Sequence, residues 1–165
     1  MNIFLLDYDI TKCAQDHCDK HVVKMCIEYA QLLSSVHHML GKPAGYNLTH
    51  KNHPCAVWAR ASLDNYEWLF NLAIELGDEY TYRYGKTHKS IQLIETLPIP
   101  DLEYSIQTPF PKCVRDELKT IPDVVDAYRE YYNTDKASFC TWKRRSTPIW
   151  FKPRSLSTMD STGVF

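Results

Sequence analysis

The chain has 165 residues, a length that suits one domain with a sizeable hydrophobic core. Its formal net charge of −1 excludes the strongly basic character of many nucleic-acid-binding proteins, although a local basic patch remains compatible with it. The N-terminus lacks the pattern of a signal peptide, and no apolar run approaches the roughly 18–20 residues of a membrane span. The sequence therefore predicts a cytoplasmic protein with reduced cysteines and no membrane contact.

The periodicity of apolar residues predicts an all-α fold, a single compact helical domain around one long N-terminal helix. Residues 2–6 read as a short buried strand or an extended arm. The long helix spans about 12–40 and ends at Gly41, and the next begins at Pro54 and ends at Gly77. The other predicted elements are helices at 78–84, 89–96 and 123–132, an irregular Pro-rich loop at 98–113, a weakly helical stretch at 134–142, and an extended or frayed tail at 153–165 that follows the helical domain at 1–152.

Polar side chains recur on one stripe of the long helix at spacings of three and four residues: His21, Lys24, Glu28, Gln31, Ser35 and His38. Apolar residues flank the stripe on both sides, which favours a position along a cleft. A base, a cation and a carboxylate at one-turn intervals suit acid–base chemistry. The alternative is the solvated edge of a half-buried helix.

Metal-ligand types occur in Cys18-x2-His21 and in His50-x2-His53-x-Cys55. Neither element has a paired partner at the spacing typical of zinc sites. His53 precedes Pro54, where its side chain can cap the following helix. We therefore expect no metal and no other cofactor.

Aromatic and basic residues interleave in three places, a pattern that can hold phosphates and stack bases. Trp58-Ala59-Arg60 lies on the second predicted helix, and Tyr80 to Lys89 follows it. Near the C-terminus, Trp142-Lys143-Arg144-Arg145 leads to Trp150. For 80–89 a solvated basic edge is an equally good interpretation. For the last segment we favour function, because three consecutive cations beside Trp make a poor core segment.

Together these features resemble the small all-helical pyrimidine-dimer DNA glycosylases of phages and algal viruses, the endonuclease V type. That family has an Ala-Asp-Gln-His segment, and its catalytic Glu comes seven residues after the His. This chain has a similar segment, Cys18-Asp19-Lys20-His21, with Glu28 seven residues after His21. Asn52-His53-Pro54 before an aromatic-rich helix, and the segment from Trp142 to Phe151, are also similar to the family's elements.

The resemblance implies base excision through a Schiff base, in which an α-amino group attacks the sugar C1′ and the Glu helps to expel the base. An α-amino group suits this role because such groups titrate near about pH 8. The family exposes a small residue after removal of Met, whereas Asn2 disfavours that removal, so Met1 would supply the amine. Lys24, if burial made it less basic, is the alternative amine.

The residues expected to be catalytic are Glu28, His21, Lys24 and Met1. The residues expected to bind substrate are Asp19, Gln31, His53, Trp58, Arg60, Tyr84, His88, Trp142, Lys143, Arg144 and Arg145. The predicted partner is DNA or a pyrimidine nucleotide, and the compartment is the host-cell cytoplasm if the chain is viral.

The predicted function is therefore a pyrimidine N-glycosylase acting on DNA, with or without AP-lyase activity. The near-neutral charge, and the occurrence of Ile27 and Gln31 where the family has arginines, leave a second hypothesis open. It is a hydrolase or transferase of free nucleotides or modified pyrimidines that does not bind duplex DNA. A third is a non-catalytic helical protein that binds a ligand or a partner.

Overall fold

The computed structural model describes residues 1–155, which contain helices and no strand, so the all-α prediction is confirmed. A π-helical turn (Tyr132–Lys136) and a 3-10 turn (Ala137–Phe139) follow the last α-helix. In chain order, the α-helices are α1 (Ile10–Asp16), α2 (Asp19–Met39), α3 (Pro54–Ala59), α4 (Leu63–Tyr84), α5 (Lys89–Ile94), α6 (Asp116–Lys119) and α7 (Val124–Tyr131).

The predicted helix over 12–40 is two helices, because the chain is extended at His17 and Cys18. Asp9 caps α1 by accepting a hydrogen bond from the Lys12 N–H. The break is filled from a distant part of the chain, since the Asp19 N–H donates to the carbonyl of Thr141. The prediction of one helix was wrong here because the interruption is marked by tertiary contacts such as this one and not by a local sequence signal.

The second predicted helix is also two helices, α3 and α4. The predicted end of this helix at Gly77 was wrong. Ser62 caps α4 by accepting from the Asn65 N–H, and the helix then continues through Gly77. A Cβ at Gly77 would lie 2.7 Å from the side chain of Ile91, so glycine is needed here for the close approach of α5. Gly85, with φ +70°, ends α4 in the left-handed conformation instead.

Residues 1–6, the N-terminal segment, form the extended arm rather than a strand. The side chains of Ile3, Phe4, Leu5 and Leu6 are buried in the core. The segment runs past α2 and α7, and the Arg129 guanidinium of α7 donates to the carbonyl of Leu6. Both helices therefore fix the position of the first residue.

α4 packs against α1, α2, α3 and α5, and the core lies between these helices and the N-terminal segment.

The helices predicted at 89–96 and 123–132 and the irregular loop at 98–113 are confirmed, while α6 was not predicted. Residues 134–139 continue as the π-helical and 3-10 turns and 140–142 are not helical. Of the predicted tail, residues 156–165 lie outside the described part of the chain. No helix within residues 1–155 is both long and apolar enough to cross a bilayer.

Candidate active site

The amino group of Met1 lies beside the carboxylate of Glu28, with 3.7 Å between the nitrogen and Oε2. The Glu28 side chain is 13% exposed and the Met1 side chain is 3% exposed. Met1 as a whole residue is only half-buried, so its accessible part is the main chain that carries the amine. The site therefore has an accessible amine, fixed by the buried side chain of Met1, next to the mostly buried carboxylate of Glu28.

Lys24 and Gln31 extend the site along α2, one turn on either side of Glu28. The Lys24 ammonium lies 3.4 Å from Oε1 of Glu28, and its side chain is 67% exposed. Gln31 lines a groove of about 490 Å³, together with residues that follow α4, among them Lys86, His88 and Lys89. The stripe predicted on the long helix thus borders a groove near Gln31.

Asn2 anchors the N-terminal segment immediately after the amine. Its side-chain N–H₂ donates to the carbonyl of Cys113 at 2.9 Å, and its side-chain oxygen accepts from the Tyr128 hydroxyl at 2.9 Å. These two bonds hold residue 2 in place, so the amine one residue earlier is held near Glu28.

His21 lies in the core beside this anchor rather than in the groove. Its ring stacks on Phe4 with 4.3 Å between centroids, and Nδ1 is hydrogen-bonded to the Tyr132 hydroxyl. The side chain is buried, so the structure places His21 where it positions the N-terminal segment.

A buried chain of hydrogen bonds supports the same segment from α1 and α2. The Phe4 N–H donates to the Tyr29 hydroxyl, which donates to Nε2 of His17, and Nδ1 of His17 donates to the carbonyl of Cys13. Burial lowers the pKa of His17 to about 3, because an imidazolium here would be desolvated. His17 is thus neutral at physiological pH, as the bond accepted by Nε2 requires.

His53 lies close to the same amine from the N-terminus of α3. Its Nδ1 accepts from the Cys55 N–H, which confirms the expected cap. Burial lowers the pKa of His53, the charges of the N-terminus and of His50 lower it further, and Glu28 acts in the opposite direction. Cys55 and Cys113 face one another next to this group, with 3.6 Å between the sulfurs.

The other expected substrate residues on and between α3 and α5 contact other parts of the protein. Trp58 is buried, stacks on Phe110 and donates from Nε1 to the carbonyl of Thr108. The Arg60 guanidinium donates to the carbonyl of Lys51. His88 caps α5 while also lining the groove, and the Lys143 ammonium lies over the ring of Tyr84.

Residues 142–150, the C-terminal segment, pack on α1 and α4 and do not join the group around Met1. Trp142 is 8% exposed and donates from Nε1 to the carbonyl of Asp16. The expectation that this segment lies outside the core was therefore wrong for Trp142. The Trp150 indole N–H donates to the Asp16 carboxylate. The Lys143 N–H donates to the Asp19 carboxylate, and Arg144 donates to the carbonyl of Tyr82.

Glu79 of α4 forms ion pairs with two cations, Arg83 and Arg145. Its carboxylate accepts from Arg145 and from the fully buried Arg83, at 2.8–3.0 Å. Arg83 also donates to Asp19. Burial alone would raise the pKa of Glu79, but the bonds from Arg145 and Arg83 hold it below its ordinary value. Asp19 and Arg145, both partly exposed, therefore belong to a charge network around the buried pair of Glu79 and Arg83.

Three residues outside the expected site help to fix the N-terminal segment that carries the amine: Asn2, Tyr29 and Cys113. Their partners are separated by 25 to 126 positions in the chain. No local spacing signals such contacts. The only sequence signal was the apolar run at 2–6, which indicated that the start of the chain is buried.

A family model described as pyrimidine dimer DNA glycosylase matches residues 1–93 of the chain. This range contains the Met1 amine, Glu28, Lys24 and His53. No curated protein and no solved structure matches the chain.

Proposed function

Because the chain belongs to the pyrimidine dimer DNA glycosylase family, we propose that it excises a damaged pyrimidine from DNA through an imine formed by the α-amino group of Met1. Glu28 would be the acid–base residue. The contact of 3.7 Å between this amine and the Glu28 carboxylate is the observation that carries the proposal.

The reaction begins when the neutral amine attacks C1′ of the deoxyribose. The glycosidic bond breaks, its electron pair leaves with the base, and the amine gives up a proton that Glu28 can accept. Glu28 then passes this proton to the ring oxygen, the bond between C1′ and that oxygen breaks, and a protonated imine joins C1′ to Met1, while the departing base takes a proton from water. Loss of a C2′ proton with departure of the 3′ phosphate would give the AP-lyase step.

The structure of the site supports this division of roles. The side chain of Met1 is fixed in the core while its amine stays accessible, so little motion is lost when the amine reaches a sugar. Glu28 is within reach of the amine and is partly shielded from water. Lys24, with its exposed ammonium on the other carboxylate oxygen, is suited to attract a phosphate.

Binding of DNA would use a local set of cations, since the net charge of the chain is −1. Lys24 stands at the mouth of the site, and Lys86 and Lys89 border the groove at Gln31. The groove has room and aromatic walls, including Tyr46 and Tyr80, for a base turned out of the helix.

The test is excision from a duplex that carries pyrimidine dimers, compared with the undamaged duplex and with a free ultraviolet-irradiated dinucleotide. We expect cleavage of a glycosidic bond at the dimer, read as an alkali-labile strand break, in the damaged duplex alone, and binding that weakens steeply as salt is raised. Activity on the free dinucleotide without activity on the damaged duplex would favour the nucleotide hydrolase instead.

A further inference from the structure

We propose that His53, Cys55 and Cys113 form a binding site for a thiophilic divalent cation such as Zn²⁺, and that the bound ion blocks the Met1 amine. The ion-binding part stands on the geometry of these three residues. The blocking part rests on the proposed function, because it assumes that the amine is the nucleophile.

The three residues come from two distant parts of the chain. His53 and Cys55 lie at the start of α3, and Cys113 lies 58 positions later, before α6. One ring nitrogen and two sulfurs lie within 4.8 Å of one another. The partner that the spacing of His53 and Cys55 lacked in the sequence is therefore supplied by folding.

The separation of the sulfurs matches the needs of a tetrahedral ion. The Sγ atoms of Cys55 and Cys113 are 3.6 Å apart. Two thiolates bound at about 2.3 Å to tetrahedral zinc would lie about 3.8 Å apart. An imidazole and two thiolates are ligands that zinc favours, whereas Mg²⁺ and Ca²⁺ prefer oxygen ligands.

The three residues differ in how exposed they are. Cys55 is buried, whereas His53 at the start of α3 is only half-buried. Cys113 is half-buried, so an ion can reach it from solvent. This partial exposure suits a cysteine that binds a metal.

The position of the N-terminus connects this site to the amine. Asn2, the residue after the amine, contacts both cysteines: its side-chain N–H₂ donates to the carbonyl of Cys113, and the Cys55 thiol donates to its side-chain oxygen. Three protein ligands leave a fourth position on a tetrahedral ion. If the amine of Met1 occupies it, its lone pair forms a bond to the metal and cannot attack C1′.

Titration of the full chain with Co²⁺ in a non-thiol reductant tests the ion-binding part. Cobalt bound to thiolates absorbs in the near ultraviolet, and competition with Zn²⁺ then gives the zinc affinity. Since loss of a residue that only supports a ligand costs about 10–100-fold in metal affinity, we expect Cys113→Ser to cost at least about 100-fold. His53→Asn keeps a good helix cap and should also weaken binding.

Cys140→Ser is the matched control, because Cys140 is likewise half-buried and reduced but lies near Cys18 rather than near Met1. It should bind cobalt as the wild type does. Circular dichroism shows whether each variant is folded. The site is refuted if the wild type gives no thiolate–cobalt band, or if folded Cys113→Ser and His53→Asn both bind as tightly as the wild type.

Borohydride trapping on damaged DNA tests the blocking part. Zn²⁺ should reduce the trapped fraction of the wild type and of Cys140→Ser, but not that of Cys113→Ser relative to the same variant without metal. Unchanged trapping of zinc-loaded wild type would refute the block. Zinc binding in a protein that never excises a base would refute the proposed function while leaving the ion site in place.

Discussion

The N-terminal segment with α2 and the C-terminal segment both place charged groups beside buried aromatic rings, but they use those charges differently. Around Met1 and Glu28, the amine and the ammonium of Lys24 share one carboxylate and stay accessible. In the C-terminal segment, Arg145 is bound by Glu79, and the main chain at Lys143 is bound by Asp19.

This difference in accessibility suggests different roles for the charged groups of the two regions, proton transfer in one and stabilisation of the fold in the other. An accessible amine with a nearby carboxylate can exchange protons with a substrate, whereas a cation enclosed by carboxylates mainly keeps the fold together. Residue types alone do not distinguish the two regions, because both contain aromatic residues together with Lys or Arg. The partners of each charge do distinguish them.

Replacement of Glu28 should produce the largest effect. Glu28→Gln keeps the size of the side chain but removes the proton acceptor, so we expect excision to slow by about 10²–10⁴-fold. Stability should stay the same or rise, as is common when a catalytic charge is removed. Single-turnover excision and urea unfolding measure the two quantities.

Glu117→Gln is the control for that change. Glu117 also lies 3.4 Å from a cation, Arg115, but outside the candidate site. It should excise at the wild-type rate. Equal losses in the two variants would remove the special role given to Glu28.

Replacement of Glu79 should affect stability instead of chemistry. Glu79→Gln leaves the buried Arg83 and the partly buried Arg145 with weakened partners, and breaking a buried pair costs about 3–5 kcal/mol in the free energy of unfolding. Excision per folded molecule should be retained. Asp116→Asn, in an exposed pair with Lys119, should leave stability unchanged. A folded Glu79→Gln protein with full stability and no activity would reverse the comparison.

Much of the fold was predictable because it depends on local patterns. The apolar periodicity of α2 and α4, the cap at His53 and the proline-rich loop all stand in short stretches of sequence. The breaks at His17 and Ala61 were not predictable, since the first depends on Thr141 and the second was hidden by a continuous apolar pattern. Within the site, Glu28 and Lys24 followed from helix spacing, while Asn2 and Cys113 meet only through folding.

Acid should weaken the N-terminal segment through His17. Its pKa in the folded protein is about 3, against 6.5 for an ordinary histidine, so the unfolded chain binds the extra proton first. This contribution to stability is full above about pH 6.5 and is lost as the pH falls toward about 3, by up to about 1.4 kcal/mol per pH unit. The neighbouring charges of His21 and Arg83 act in the same direction.

His17→Gln retains a donor and an acceptor without a titrating ring. Urea unfolding across this pH window should show a shallower loss of stability in the variant than in the wild type. Identical slopes for the two proteins would mean that His17 does not stay neutral in the fold.

The smallest expected effect concerns phosphate contacts. Lys24→Gln should reduce the slope of log affinity for DNA against log salt by about 1, the effect of losing one phosphate contact. Lys143→Gln, whose ammonium lies over the Tyr84 ring, should leave the slope unchanged. The reverse outcome would assign DNA binding to the C-terminal segment.

Identification of the trapped amine tests the central claim most directly. The protein is incubated with dimer-containing duplex and borohydride, and the digested adduct is mapped by mass spectrometry, which also reads the mass of the N-terminal peptide. We predict that the reduced sugar is attached to the α-amino group of Met1. Attachment to Lys24, or complete excision without any adduct, would contradict the assignment of the N-terminal amine as the nucleophile.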